Sequence, residues 1–139
     1  PGESTETIQQ TLDWLLEVKP EDFDCTIITA YPGSPYYDRA RYLYDDVWVF
    51  ETNGDKLYMQ DIDYTKVEDF YKGAPDGYRS YVWTDQISAG ELVDQRDALE
   101  HAVRGALRIP FNPARQAERF EASMGQLPGK VYRRSQYEN

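Results

Sequence analysis

The sequence predicts a chain that begins as α/β and passes into α+β, on three observations. An amphipathic helix and a nearly continuous apolar strand lie between two Pro-Gly turns, Pro1-Gly2 and Pro32-Gly33. An Asn53-Gly54 pair separates two strand-like runs in the middle of the chain. Ser88-Ala89-Gly90-Glu91 opens the last third as a capping box ahead of a helical apolar stripe.

The first helix opens at Ser4, whose hydroxyl suits the N-cap, with Glu3 and Glu6 at the positive end of the macrodipole. Ile8, Leu12, Leu15 and Leu16 repeat at helical spacing and form its apolar stripe, while Gln9, Gln10, Asp13 and Glu17 fall elsewhere. Pro20 disfavours α conformation in its predecessor, so the helix ends at Lys19. After Glu21-Asp22, the run Phe23 to Ala30 is short, rich in β-branched residues and apolar, as a strand buried on both faces of a parallel sheet would be. Helix, link, strand and Pro-Gly loop make the second half of a βαβ unit, so the expectation is that its first strand lies before Pro1.

The composition then changes to a tyrosine-rich stretch. Pro35 to Tyr42 reads as a short helix with Pro35 in its first turn. Val47 to Thr52 and Asp55 to Met59 read as a hairpin with a two-residue turn, because Asn-Gly takes the positive φ angles of a type I′ turn without strain. That turn sets the register: Glu51 faces Lys56, Phe50 faces Leu57, Val49 faces Tyr58 and Trp48 faces Met59. Lys66 to Lys72 reads as a short helix and Gly73 to Gly77 as a turn cluster. Tyr78 to Trp83 is a third extended segment, able to make the hairpin a meander. From Ser88 a helix runs to about Arg108 with Leu92, Leu99, Val103, Ala106 and Leu107 inward, stopped by Pro110. Asn112-Pro113 opens another, with Ala117, Phe120 and Met124 on one face and Gly125 at its end.

Fifteen basic against twenty-five acidic residues give a net charge of −10, which repels phosphate backbones and argues against nucleic acid as a partner. No apolar run approaches the ~20 residues that span a bilayer. A single cysteine excludes an internal disulfide framework. Cys25, in mid-strand, reads as a small hydrophobe, and His101 has no second ligand at metal spacing. Asp61-x-Asp63 lacks the glycine and the bidentate glutamate of a calcium loop. Gly125 to Val131 is one residue short of a P-loop and has Val131 in place of Ser or Thr.

Pro1-Gly2-Glu3-Ser4-x-Glu6-Thr7, the helix and strand that follow, and Tyr31-Pro32-Gly33-Ser34-Pro35-x-Tyr37 resemble the late part of a radical SAM enzyme barrel. The resemblance is closest to the Fe-S oxidoreductases often fused to cobalamin-binding domains, and it covers Pro1 to about Leu43. It implies that residues 1–44 are the tail of a TIM-like βα barrel, while the local signals make 45–86 a hairpin or meander extension and 87–139 a helical pair and tail. It implies further that Pro1, Gly2, Glu3 and Ser4 lie on the S-adenosylmethionine side of the site, with Tyr31, Pro32, Gly33, Ser34 and Tyr36 on the substrate side. The full enzyme would hold a [4Fe-4S] cluster and S-adenosylmethionine, with cobalamin in that branch, and would work in the cytoplasm. This chain has no C-x-x-x-C-x-x-C motif and binds none of these alone. Its partners would be the N-terminal part of its own barrel, or a second copy through the exposed strand edge. The rival reading is a freestanding acidic α+β interaction module whose Trp48/Tyr58/Tyr81 sheet face binds a protein.

Overall fold

Ser4 opens the first helix as the sequence requires: its side chain accepts from the Thr7 backbone N–H, and the Thr7 hydroxyl accepts from the Ser4 N–H at 2.9 Å. The structure, a computed structural model, describes residues 1–61 and 80–110. Helix α1 spans Thr5–Val18 and closes on Lys19, whose φ of 52° turns the chain left-handed before Pro20. Residues 23–30 follow, then the short helix α2, Pro35–Asp38. Four strands come next: β1 Arg41–Tyr44, β2 Val47–Thr52, β3 Asp55–Gln60 and β4 Val82–Trp83. Helix α3, Ala89–Leu107, ends on Arg108 at φ 57°. The chain divides into two units, Pro1–Ile109 and Pro110–Asn139, and this architecture belongs to the first.

The sheet is antiparallel, in the order β1-β2-β3-β4. The hairpin has the register set by its turn, Trp48 to Met59, Val49 to Tyr58, Phe50 to Leu57 and Glu51 to Lys56, around Asn53 and Gly54 at φ 52° and 85°. Asp45 and Asp46, both also at positive φ, make a second two-residue turn between β1 and β2. Beta4 adds the third hairpin-side strand through Tyr58–Trp83 and Met59–Val82. Trp48, Phe50, Leu57, Met59 and Val82 share the face that joins Ala30, Ile87 and Leu92 in one core cluster. A second cluster joins Leu15 of α1 to Leu99 and Val103 of α3, with Phe23 and Cys25 against it.

These strands correct the expected fold. The architecture is a small antiparallel sheet with a few helices, not the tail of a βα barrel. Residues 23–30 belong to no strand of the sheet, although their burial alternates with a period of two: Phe23, Cys25, Ile27 and Thr29 are half-buried, while Asp24, Thr26 and Ile28 are exposed. A parallel strand needs neighbours through βαβ crossovers, and the only sheet among the described residues is built from hairpins. The helix expected over 35–42 stops at Asp38, and Arg41 to Tyr44 pair with β2 instead, Tyr42 meeting the Trp48 ring edge-on at 5.7 Å. In α3, Ala106 is exposed, and the buried places beside Leu99 and Val103 go to Glu100 and Arg104. The helix expected at 66–72, the turn cluster at 73–77 and the helix from Asn112 lie outside the described residues.

Glu100 and Arg104 are 2% and 3% exposed, which demands that both charges be matched. Glu100 takes Arg104 Nε at 3.1 Å on one carboxylate oxygen and Arg96 Nη2 at 2.8 Å on the other. The arginines then reach beyond their helix: Arg96 Nε donates to the Cys25 carbonyl at 2.8 Å and Arg104 Nη2 to the Phe23 carbonyl at 3.0 Å. The Arg104 guanidinium also lies 5.0 Å from the Phe23 ring centroid. Arg41 and Glu51, by contrast, are exposed and 3.8 Å apart, a pair worth about 0–1 kcal/mol. Removing the Glu100 carboxylate leaves Arg104 buried without its closest counter-charge, so Glu100→Ala should cost about 3–5 kcal/mol in urea unfolding. Glu51→Ala should change stability by less than about 1 kcal/mol in the same measurement.

Candidate functional site

The N-terminal turn and α3 border a cleft, and the second turn, at Pro32-Gly33, lies outside its lining. In the first turn Gly2 has φ 77°, and a Cβ there would stand 3.1 Å from the Asp55 carboxylate, so only glycine fits the approach to the hairpin. The Glu3 carbonyl accepts from the Thr84 hydroxyl at 2.7 Å, and Gln95 of α3 donates to the Thr5 hydroxyl at 2.8 Å. These bonds fasten the start of α1 to the β4–α3 turn and to α3. The Glu3 carboxylate takes the Thr7 hydroxyl.

In the second turn the Ser34 hydroxyl donates to the Tyr31 carbonyl at 2.7 Å and caps α2 at the Tyr37 N–H. Gly33, at φ 89°, donates its N–H to Asp38 at 3.0 Å. Tyr36 leaves this turn and meets the Phe50 ring edge-on at 5.1 Å.

A cleft of about 390 Å³ results, bordered by Pro1, Glu3, Thr84, Arg96 and Tyr36, with residues 25–28 along one side. Ile8, Leu57, Val82, Leu92 and Leu99 give it apolar walls. Its volume falls within the range of small-molecule sites, ~300–1,000 Å³. Pro1, Glu3 and Thr11 also line a shallower groove that runs past Gly2 to Trp14 on the outer side of α1. A separate hollow of about 60 Å³ beside Ala30, Tyr37 and Trp48 is too small for such a ligand.

Of the residues expected at a site, Pro1, Glu3 and Tyr36 therefore border the same cleft, and Gly2 lines the adjoining groove. Ser4 and Ser34 are spent as helix caps, and Tyr31, Pro32 and Gly33 form an exposed turn away from the cleft lining. Arg96 and Thr84 were not expected there. Arg96 begins the Arg96, Glu100, Arg104 series at four-residue spacing, a sequence signal that a helical i,i+4 reading can find.

The proposed Trp48/Tyr58/Tyr81 docking face does not form. Val49 faces Tyr58 and Trp48 faces Met59, so Trp48 and Tyr58 point to opposite sides of the sheet, and Tyr81 is 7% exposed. Tyr58 instead stacks on Trp83 at 5.9 Å and donates to Asp85 at 2.7 Å, a bond that raises the phenol above its ordinary pKa.

The cleft has polar groups but no pair fit for nucleophilic catalysis. Burial pushes the Cys25 thiol above its ordinary pKa, and the nearby Arg96 charge only partly opposes this. Among the described residues no three His, Cys, Asp or Glu side chains stand together as a metal set, and His101 is exposed on α3. No described helix is long and apolar enough to cross a membrane. Comparison of the chain with protein-family models, curated proteins and solved structures gives no match.

A thiol held above its ordinary pKa favours the protonated fold. Its contribution is fully present below about pH 9 and is lost as pH rises through the higher folded value. At pH 7.5, alkylation of Cys25 by iodoacetamide should accordingly be slow in the folded chain and faster in urea, followed by intact mass. Equal rates in both conditions would remove the burial argument.

Proposed function

We propose that this chain is the substrate-side portion of a radical SAM Fe-S oxidoreductase. The observation that carries the reading is that Pro1 and Glu3 of the N-terminal turn border one cleft with Tyr36, which follows the second turn. Pro1 and Glu3 belong to the first motif of the family resemblance, and Tyr36 is the variable position within the second. The cleft supplies an apolar wall, the Glu3 carboxylate, the Arg96 guanidinium and the Thr84 hydroxyl, a set suited to holding and orienting a bound molecule.

The chain's own residues do not fit the cluster of that family. Three thiolates are needed for the C-x-x-x-C-x-x-C site, and Cys25 is one residue, half-buried and held protonated. On this reading the [4Fe-4S] cluster, which reductively cleaves S-adenosylmethionine, belongs to a separate catalytic portion. Here Arg96 holds its position through Glu100 and the Cys25 carbonyl, so its charge borders the cleft in one orientation. Glu3 is similarly placed by Thr84 at its carbonyl and Thr7 at its carboxylate.

The test is the full reading frame that encodes the chain, expressed and reconstituted anaerobically with iron, sulfide and dithionite. The expected result is a C-x-x-x-C-x-x-C motif ahead of Pro1 and formation of 5′-deoxyadenosine from S-adenosylmethionine, with none formed by the 139-residue chain alone. A reading frame without those cysteines would overturn the proposal.

A further inference from the structure

Residues 23–30 carry the strongest unexplained feature among the described residues, a segment outside the sheet whose burial alternates with a period of two and whose exposed positions make no backbone hydrogen bond. In extended backbone the N–H and C=O of alternate residues point to opposite edges. At the odd-numbered positions the Phe23 and Cys25 carbonyls are taken by Arg104 and Arg96. On the even-numbered edge Asp24, Thr26 and Ile28 are exposed, and no hydrogen bond reaches their backbone groups among the described residues. Thr26 and Ile28 also line the 390 Å³ cleft, so the open edge has space beside it.

We propose that this edge is a strand-addition site for a basic, β-branched segment of a partner protein. Added strands gain affinity from backbone hydrogen bonds and specificity from alternate side chains. Here the side chains of the edge are Asp24, Thr26 and Ile28, which a strand with a cation opposite Asp24 and a β-branched residue opposite Ile28 complements. The surrounding charge selects the sign. Residues 1–24 contain seven carboxylates (Glu3, Glu6, Asp13, Glu17, Glu21, Asp22, Asp24) and one cation, Lys19, giving −7 + 1 = −6 of the chain's total of −10. A second copy would bring the same carboxylates against themselves, whereas a basic strand is drawn in and its approach is salt-dependent.

The probe is a synthetic strand, acetyl-Lys-Val-Lys-Ile-Lys-Val-Lys-amide, titrated into the isotope-labelled full chain and followed by amide chemical shifts. The expected result is saturable shifts at Asp24, Thr26 and Ile28, with affinity falling at least threefold between 50 and 300 mM salt. The same peptide N-methylated at alternate residues should bind at least tenfold more weakly, because its backbone donors are gone while its charge is kept. Thr26→Pro should lose binding to a similar degree, and the N-methyl comparison decides the matter if that variant does not fold. Shifts elsewhere only, equal binding by the N-methylated peptide, or equal binding by a Glu-for-Lys peptide would overturn the proposal. So would concentration-dependent self-association with shifts at the same three residues, since the occupant would then be a second copy. The radical SAM reading is judged separately, by the cysteine motif and 5′-deoxyadenosine, so either can fail alone.

Discussion

The interaction on which the rest of the structure depends is the Arg96–Glu100–Arg104 ladder on one side of α3. A chain segment with apolar side chains on one face brings polar backbone into the interior, and each buried carbonyl requires a donor. In a sheet a neighbouring strand provides it. Here two guanidiniums do so, and Glu100 makes the match possible. Arginines eight residues apart on a helix are separated by about 12 Å along the axis, whereas carbonyls two residues apart in extended chain are about 7 Å apart. Glu100, midway, draws both side chains inward until each reaches its carbonyl, Arg96 to Cys25 and Arg104 to Phe23. The ladder thus works as a substitute neighbour. Phe23 and Cys25 are thereby held against the Leu15–Leu99–Val103 cluster, which is where α1 and α3 pack.

From that fastening the cleft follows. Residues 25–28 form one side of it, and α3 adds Leu92, Arg96 and Leu99. The opposite boundary depends on the N-terminal turn, which has its own ties to Thr84, Gln95 and the neighbourhood of Asp55. Glycine at position 2 is therefore a requirement of packing as well as of backbone angle. A side chain there would crowd the Asp55 carboxylate and strain a backbone held at φ 77°. The cleft is thus held by polar bonds at its rim and by apolar contact at its walls, an arrangement in which charged groups keep fixed positions beside a dry surface.

Local signals were legible in the sequence, and long-range ones were not. Asn53-Gly54 defined a register because the turn allows only one pairing, and Ser4 and Ser88 defined helix starts because a hydroxyl followed by a partner three residues on satisfies the first N–H groups. The same register already separated Trp48 from Tyr58, so the three-aromatic face was excluded by information in the sequence itself. Residues 41–42 read as helix because Ser34-Pro35 announces a helix without announcing its end, and pairing with β2 plus the Tyr42–Trp48 contact outweighs helix continuation. Glu100 and Arg104 were absent from the apolar stripe expected of α3 because charged residues are ordinarily solvated; their pairing with each other and with the carbonyls of a distant segment accounts for their burial. For residues 23–30 the sequence predicted a strand buried on both faces, whereas the segment joins no sheet among the described residues and its burial alternates, since ladder membership is a property of neighbours.

Two arginine bonds to the Phe23 and Cys25 carbonyls fasten the segment without a neighbouring strand. Asp24, Thr26 and Ile28 are exposed, so water satisfies their backbone groups and the open edge carries little free-energy penalty in the isolated chain. Natural edges are blunted by charge, bulges or proline to prevent pairing. This one contains Asp24 but no proline or lysine between residues 23 and 30, and Ile28 is 47% exposed at its centre of apolar character. The protection is therefore electrostatic rather than steric. Acidic residues keep like-charged copies apart while leaving the backbone accessible to a strand of opposite sign. The charge that opposes a phosphate backbone or a like-charged copy is on the same grounds what would make the edge selective.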